Sequence, residues 1–556
     1  NVLTNLLMFY TYLFCNIKNF IKNYSNEITM KKSLHLLLLL LIFMLLSCRQ
    51  EMKSAAPNII YVLADDLGYG DLGVFNKEGK IQTPHLDHMA RQGMIFTDAH
   101  TSSAVCTPTR YGILTGRYNW RTPLKRGVLS GTSQALIPPN RTTVASFLKY
   151  NGYQTAFIGK SQLGGDWALK DSALQNKPVR NQEIFEKINF TKKITNSPNG
   201  LGFDYAYGHC GSLDMPPYVY VENEKITAQV ENITERKGDY HWWRKGPTAN
   251  DFDHERVTPH LFDKAEAYVS EMNEKGKPFF LYLPLPSPHT PILPSEEWKG
   301  KSGLNPYADF VMQIDHRVGR LNKLLDELGI SDNTIVIFTS DNGCSPEAKF
   351  EVLGEKGHDP SGVYRGHKAD IFEGGHRVPF IVKWPRRIQA GMVSQKTICT
   401  TDLLAPCADR VGEQLSDDEG EDSFSMLPTF SKVTESDFQR SFTIHHSING
   451  SFAIRKGAYK FIFCPGSGGW SYPRPSKKET QELPKFQLYN LKEDPEEMNN
   501  LYGQHPKIEN EMITLFKTAI KNGRTSPGVP QKNFSTHFSS KKWEPLAIFE
   551  KDEIIH

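Results

Sequence analysis

The run Asn58-Ile59-Ile60-Tyr61-Val62-Leu63-Ala64, followed at once by Asp65-Asp66, decides the fold class of this 556-residue chain. The run is β-favouring throughout, and Pro57 and the two aspartates bound it. A continuous run of this kind is typical of a strand buried on both faces in a parallel sheet. Two further runs of the same type, 278–283 and 334–339, predict additional strands of that sheet.

Helical patterns lie between these strands, at 143–150, 259–273 and 308–328. Strands that alternate with helices favour an α/β fold with a doubly wound, mostly parallel sheet flanked by helices. After about Gly391 the pattern changes. Residues 452–463 predict a hairpin with a tight Lys-Gly turn, and residues 506–521 predict a C-terminal helix.

Composition sets limits on the class of protein. The chain is 39% hydrophobic and 23% charged, which is ordinary for a soluble globular protein, and it is long enough for two domains. Four lysines and one glutamate precede Cys48, so the formal charge of +3 falls to about 0 without that part. Nothing in this balance indicates a nucleic-acid surface, and we expect no nucleic-acid partner.

The N-terminal part predicts export. Met30-Lys31-Lys32 and the apolar run 36–46 are typical of a secretory signal, too short to span a bilayer. We therefore interpret residues 1–29 as lying upstream of the true start. Leu45-Leu46-Ser47-Cys48 resembles a bacterial lipobox. We therefore expect a lipoprotein signal peptide at 30–47, a tether at 48–56 and a lipid anchor on Cys48 that holds the protein to a membrane of the bacterial cell envelope, as a periplasmic or outer-membrane surface lipoprotein. An ordinary signal peptide is the alternative.

A second stretch points to a reaction. Cys106-Thr107-Pro108-Thr109-Arg110, with 111–117 reading Tyr-Gly-Ile-Leu-Thr-Gly-Arg, resembles the C-x-P-x-R…L-T-G-R signature of type I sulfatases, in the alkaline phosphatase-like superfamily. The resemblance implies that a maturation enzyme oxidises Cys106 to formylglycine. One hydroxyl of the hydrated aldehyde then attacks sulfur and displaces the alcohol. Deprotonation of the second hydroxyl expels sulfate and restores the aldehyde, so no second attack on sulfur is needed. A buried structural cysteine at a helix start is the alternative.

Carboxylates follow two of the predicted strands, and they indicate a metal site. Asp65 and Asp66 end the first strand, and Asp341 and Asn342 follow another. Oxygen ligands suit Ca²⁺ or Mg²⁺ rather than zinc, although each pair taken alone could be a cap or a turn. Both pairs match sulfatase metal segments, and the resemblance implies that these four side chains bind calcium.

Four further residues match catalytic positions of the family. The resemblance implies that Arg110 orients the formylglycine and that Lys160, in Ile158-Gly159-Lys160, and Lys368, in 364–368, hold the sulfate. His289, in 286–291, matches the histidine that protonates the departing alcohol oxygen, a role that suits imidazole.

One position departs from the family pattern. The family commonly has G-K-W-H-L-G where 159–164 reads Gly-Lys-Ser-Gln-Leu-Gly, so Gln162 stands in place of a histidine that helps to deprotonate the diol. The identity of the base for sulfate release is therefore open: a metal-linked carboxylate, another histidine or water.

The sequence encodes the substrate contacts only weakly. The candidates for substrate contact are Gln162, His209, Asp214, His367, His376 and His446.

The resemblance extends from Pro57 to about Tyr502. It implies a catalytic domain at 57–430 and a smaller C-terminal α+β domain, built on an antiparallel sheet, at 431–556. It also implies a sulfatase that hydrolyses sulfate esters on sugars of a sulfated polysaccharide or its oligosaccharides. The alternatives are a phosphodiesterase or phosphonate hydrolase of the same superfamily, and a non-catalytic glycan-binding homologue.

Overall fold

The computed structural model of the protein describes residues 56–171 and 183–533. The predicted signal peptide, Cys48 and residues 1–29 lie outside these ranges and stay predictions. The described residues from Pro57 onward belong to one compact unit. No helix in the two described ranges has the length and apolar character needed to cross a membrane.

The described ranges contain strands and helices in alternation. The strands are β1 Asn58–Asp65, β2 Met94–Phe96, β3 Ala99–His100, β4 Gln154–Lys160, β5 Tyr205–His209, β6 Val221–Glu222, β7 Lys225–Ile226, β8 Val230–Arg236, β9 Trp243–Ala249, β10 Phe279–Pro288, β11 Thr334–Ser340, β12 Phe380–Lys383, β13 Met392–Ser394, β14 Ile398–Cys399, β15 Thr443–His446, β16 Phe452–Lys456, β17 Tyr459–Ile462 and β18 Gln487–Asn490. The helices are α1 Pro84–Gln92, α2 Cys106–Thr115, α3 Val144–Tyr150, α4 Glu183–Lys187, α5 Val257–Lys275, α6 Pro306–Glu327, α7 Phe350–Gly354, α8 Glu373–His376, α9 Leu404–Val411, α10 Lys477–Thr480 and α11 Pro506–Lys521.

A large sheet organises the molecule, in the strand order β13-β2-β12-β11-β1-β10-β4-β5-β6-β7. Its centre, from β11 through β1, β10 and β4 to β5, is parallel. Antiparallel pairs join β12 to β11 and β6 to β5 at the two sides. The predicted mostly parallel sheet is confirmed.

Alternate residues of β1 enter two different hydrophobic cores, which explains its unbroken apolar run. Ile60 and Val62 pack on one face, in a core that includes residues of α5 and α6. Tyr61 and Leu63 pack on the other face, with residues of α2, α3 and α9. Because both faces are covered by helices, the sheet is doubly wound and only its strand ends are open to polar chemistry.

The predicted helices are present with small shifts at their ends. Helix α3 begins after Thr143, whose hydroxyl accepts a hydrogen bond from the backbone N–H of Ser146, and α6 begins after Asn305, which caps Ala308 in the same way. Cys399 lies in the short strand β14. It and the other cysteines of the described ranges are free thiols.

The C-terminal part forms a separate four-stranded antiparallel sheet in the order β15-β16-β17-β18. Strands β16 and β17 are the predicted hairpin, and Gly457 takes a φ of 56° in its turn, which glycine tolerates at low cost. Helix α11 has the predicted bounds and packs its Met512 and Phe516 on the core of this sheet.

A buried ionic network joins this sheet to the large one. Lys460 on β17 is fully buried, and its Nζ lies 3.1 Å from Glu373 and 2.9 Å from Glu497. Glu373 also pairs with Arg377 at 3.0 Å, just before β12. A buried charge without its partner is strongly destabilising, so Lys460 holds the two sheets in one arrangement.

We expect Lys460→Met to lower the free energy of unfolding by about 3–5 kcal/mol, because it removes the cation that pairs with buried Glu497 and one of the cations that pair with buried Glu373. Urea unfolding measures the change. The matched control is Lys456→Met: Lys456 ends β16 and pairs with Glu511 at the exposed surface, and its loss should change stability by less than about 1 kcal/mol. Equal effects of the two substitutions would contradict this role of Lys460.

Candidate functional site

Neighbouring parallel strands bring the predicted site residues to one edge of the large sheet. Strand β1 ends at Asp65, β4 ends at Lys160, and β11 is followed by Asp341. Ala64 pairs with Ser340 in the register of β1 and β11, so the two acidic segments leave the sheet side by side. The carboxyl ends of parallel strands are where ligands bind in folds of this kind.

Three carboxylates and one amide form the acidic part of the site. The backbone N–H of Asp66 donates to Asp341 Oδ1 at 3.3 Å, and Asn342 Nδ2 donates to Asp66 Oδ1 at 2.7 Å. Asp66 has a φ of 65°, a left-handed conformation that turns the chain sharply after β1. Asp65, Asp66, Asp341 and Asn342 are all buried.

Three cationic side chains balance this acidic group. Arg110 Nε donates to Asp341 Oδ2 at 2.8 Å, and its Nη2 lies 3.3 Å from Asp65 Oδ2. Lys160 Nζ donates to Asp65, and Lys368 Nζ donates to Asp66 Oδ2 at 2.8 Å. Burial and the charge of Asp65 raise the pKa of Asp341, because the carboxylates crowd one another.

The acidic group fits a hard cation. Asp65 Oδ1 and Asn342 Oδ1 are buried and have no hydrogen-bond partner, although buried polar atoms are nearly always paired. All of the candidate ligand atoms are carboxylate or amide oxygens, the ligand type that calcium and magnesium prefer. Two buried oxygens without hydrogen-bond partners, among carboxylates that repel one another, therefore fit a site for calcium or magnesium.

Cys106 opens helix α2, every residue of which is buried. Arg110 follows one turn later, so the same helix carries the cysteine and the cation that pairs with the strand-end carboxylates. Burial raises the pKa of the Cys106 thiol, although Lys160 and Lys368 act in the opposite direction. The thiol is therefore a poor nucleophile in its own right.

His289 directly follows β10 and presents one ring nitrogen to the acidic group. Its Nδ1–H donates to the carbonyl of Thr290 at 2.6 Å, which fixes the tautomer. Its Nε2 lies 3.7 Å from Asp66 Oδ2. Burial lowers the pKa of His289, with Lys368 adding to the effect.

A cavity of about 370 Å³ opens onto these groups. Among the predicted residues, it is lined by Cys106, Gln162, Asp214, His289 and Lys368. The carboxamide of Gln162 is held by a hydrogen bond from Nε2 to the Leu129 carbonyl at 3.2 Å, and its Oε1 has no partner. An amide oxygen accepts a hydrogen bond but does not take up a proton near neutral pH, so Gln162 can orient a hydroxyl without acting as its base.

The other predicted substrate residues lie elsewhere. His209 borders a separate small cavity, and its Nδ1 donates to the Gly211 carbonyl. His367 is partly exposed and packs against Phe350. His376 and His446 are fully buried between the two sheets, where His376 contacts Lys460. None of the four histidines lines the cavity of about 370 Å³.

Several residues of the cavity wall were not singled out from the sequence. Arg244, Glu347 and Trp470 line it. Trp242, an aromatic loop residue that the sequence offered as a candidate sugar contact, lines it too. Trp470 lies in the loop 466–475, which is rich in glycine, proline and aromatic residues. That composition marks a loop but does not say that the loop folds over a cavity formed mainly by other segments.

Comparison with known proteins agrees with this geometry. The family model described as Sulfatase matches residues 57–412, and one described as N-sulphoglucosamine sulphohydrolase, C-terminal, matches residues 366–524. An N-acetylgalactosamine-6-O-sulfatase of Bacteroides thetaiotaomicron is 32% identical and covers 86% of this chain and 97% of its own. Human arylsulfatase A is 30% identical and covers 83% of this chain and 86% of its own.

The fold of this chain is also similar to that of a solved structure. It comes from work on glycosaminoglycan metabolism by Bacteroides thetaiotaomicron and has a TM-score of 0.73 at 32% identity, over 84% of this chain and 99% of that one. The chain belongs to the sulfatase family, with the alkaline phosphatase-like fold, and it is a sulfuric ester hydrolase. Sulfate ester hydrolysis is thus favoured over the phosphodiesterase and non-catalytic alternatives.

Proposed function

We propose that this sulfatase removes sulfate from sugars of a sulfated polysaccharide or its oligosaccharides, using a formylglycine made from Cys106 and one bound calcium ion. The observation that carries the proposal is the convergence of Cys106, Lys368 and His289 on one cavity beside the buried carboxylates. A 6-O-sulfated galactose or N-acetylgalactosamine is the first substrate to test, since a relative named for the latter is 32% identical.

Cys106 fits the role of a precursor. Its thiol is buried and its pKa is raised, so the unmodified side chain is poorly suited to attack an ester. Formylglycine would supply, as its hydrate, a hydroxyl nucleophile for sulfur. Arg110 fixes the first turn of α2 by its bonds to Asp341 and to the Lys160 carbonyl, and it thereby holds position 106 in place.

The surrounding residues divide the remaining tasks. Asp65, Asp66, Asp341 and Asn342 would hold calcium, which would supply fixed positive charge for the anionic sulfate. Lys160 and Lys368 add further positive charge at the same edge of the sheet. In its protonated, imidazolium form His289 donates the Nε2 proton to the departing sugar oxygen and is left as the neutral Nδ1–H tautomer. The negative charge of a bound sulfate ester opposes the lowering of its pKa by burial and Lys368.

We further propose that Cys48 carries a lipid anchor and that the enzyme acts at the bacterial cell envelope. The support is the lipobox-like Leu45-Leu46-Ser47-Cys48 after an apolar run. A tethered enzyme would meet soluble oligosaccharides at the membrane surface, in keeping with a small cavity that accepts one sugar unit.

We expect Cys106→Ala to abolish sulfate ester hydrolysis while thermal unfolding stays close to wild type, because the substitution removes only a side-chain sulfur. Mass analysis of the tryptic peptide that ends at Arg110 should show the aldehyde in active protein from a host with the maturation enzyme. Cys464→Ser, at a half-buried thiol that does not line the cavity, is the matched control and should stay active. Full activity with an unmodified thiol at position 106 would refute the mechanism.

We expect Asp341→Asn to lose both bound calcium and activity, because it removes one of three carboxylates from the proposed ligand set. Elemental analysis of the purified protein measures the metal, and chelation followed by calcium addition should abolish and restore wild-type activity. Asp332→Asn, an exposed residue before β11, serves as the control. Zinc bound through cysteine or histidine in the active enzyme would count against this assignment.

We expect wild-type protein to partition with membranes and into detergent, and Cys48→Ala to move it to the soluble fraction. Cell fractionation followed by N-terminal mass analysis makes the comparison. Wholly soluble wild-type protein, with an N-terminus beyond Cys48, would contradict the lipid anchor.

A further inference from the structure

A charged pair that the sulfate chemistry does not use borders the catalytic cavity. It consists of Asp214, after β5, and Arg244, on β9. Arg244 Nη1 donates to the Asp214 carboxylate and also to the Asp214 carbonyl, at 3.1 Å. The pair therefore shares one cavity with Cys106, His289 and Lys368, but it comes from segments outside the central parallel strands.

Asp214 is a buried acceptor with unused capacity. Its side chain is almost fully buried, although it borders the cavity. The Ser212 hydroxyl donates to Oδ1 at 2.5 Å and Arg244 donates to Oδ2, whereas an ionised carboxylate offers about four acceptor positions. Burial alone would raise the pKa of Asp214, but the charges of His289 and Arg244 lower it and keep the group ionised.

Arg244 is an oriented donor with unused capacity. Half of its side chain is exposed, and its guanidinium lies 5.1 Å from the centre of the Trp242 ring. The Trp242 indole N–H in turn donates to Glu347 at 3.2 Å, which fixes the ring. Within the ranges that the structure describes, Nε and Nη2 of Arg244 have no hydrogen-bond acceptor, so these donors are available to a ligand.

We infer that Asp214 and Arg244 recognise the sugar, by binding neighbouring hydroxyl groups of the unit that carries the sulfate. The inference rests on the proposed function, in which the substrate is a sugar sulfate. A hydroxyl is both a donor and an acceptor, so two adjacent ring hydroxyls match a carboxylate and a guanidinium that lie side by side. Trp470, partly exposed at the same cavity, offers an aromatic face for the apolar side of a sugar ring.

The same pair disfavours apolar alcohols. A sterol or aryl group placed beside Asp214 would remove water from its free acceptor positions and offer no donor in exchange. Sites built to hydrogen-bond a hydroxyl discriminate strongly against ligands that lack it, because the buried polar group is then left unpaired. The cavity should therefore prefer sugar sulfates to steryl and aryl sulfates.

The test compares two substrate classes in Asp214→Asn and Arg244→Leu. The substrates are a panel of galactose and N-acetylgalactosamine sulfates, sulfated at each position, and 4-nitrophenyl sulfate, which has no sugar. For the preferred sugar sulfate, kcat/KM should fall by about 100-fold in each variant, the loss expected when a charge-assisted hydrogen bond to substrate is removed. For the aryl sulfate it should fall by less than about threefold, since the variants retain the sulfate-binding and proton-donating groups.

Arg236→Leu is the matched control: Arg236 ends β8 of the same hairpin, does not line the cavity and should leave both rates unchanged. Thermal unfolding of each variant verifies that it folds, and Arg244, being half exposed, is the safer substitution. Equal losses on both substrates would overturn the inference, because the pair would then serve folding or chemistry. Wild-type enzyme that cleaves the aryl sulfate and no sugar sulfate would overturn it too, whereas an enzyme inactive on every sulfate ester would refute the proposed function itself.

Discussion

The crowding of three buried carboxylates at one edge of a parallel sheet is the constraint on which this structure depends. Asp65, Asp66 and Asp341 lie there because β1 and β11 run in parallel and end in register. Their mutual repulsion is offset by Arg110 and by two lysines from other segments. Each cation lies on a different element, so the ionic contacts tie α2, strand β4 and the loop before α8 to the ends of β1 and β11.

The sequence was sufficient for the parts of the molecule that are set by local pattern. Unbroken apolar strands, capped helices such as α3 and the Lys-Gly hairpin turn follow from periodicity and turn chemistry, which act over a few residues. It also located the strand-end carboxylates, Cys106, Lys160, His289 and Lys368, because each lies in a motif of its own. The convergence of the carboxylates, Lys160 and His289 follows from the parallel topology, whereas helix α2 and the loop before α8 bring Cys106 and Lys368 to the same place.

The remaining part of the site could not be predicted, because it depends on long-range packing. His376 and His446 look like binding residues in sequence, yet the docking of the antiparallel sheet buries both of them. Arg244 looks like a surface arginine, yet the β8–β9 hairpin carries it to Asp214. Composition does not distinguish a polar residue that lines a cavity from one that packs between sheets, since only the tertiary arrangement decides which side chains keep contact with water.

The position of Cys106 has a consequence for the order of events during biosynthesis. The segment just before it is pinned from the far end of the chain: the Ala104 N–H donates to the His446 carbonyl at 2.9 Å, and Ser103 bridges to the same residue of β15. Strand β15 is made more than 300 residues after Cys106, and its docking fixes the segment just before the helix start. In the folded protein Cys106 is only 2% exposed and β15 fixes the segment before it. Under the proposed chemistry, an enzyme that must bind this segment in an extended form would therefore act before the C-terminal sheet docks, so the docking of that sheet would limit the time available for oxidation of Cys106.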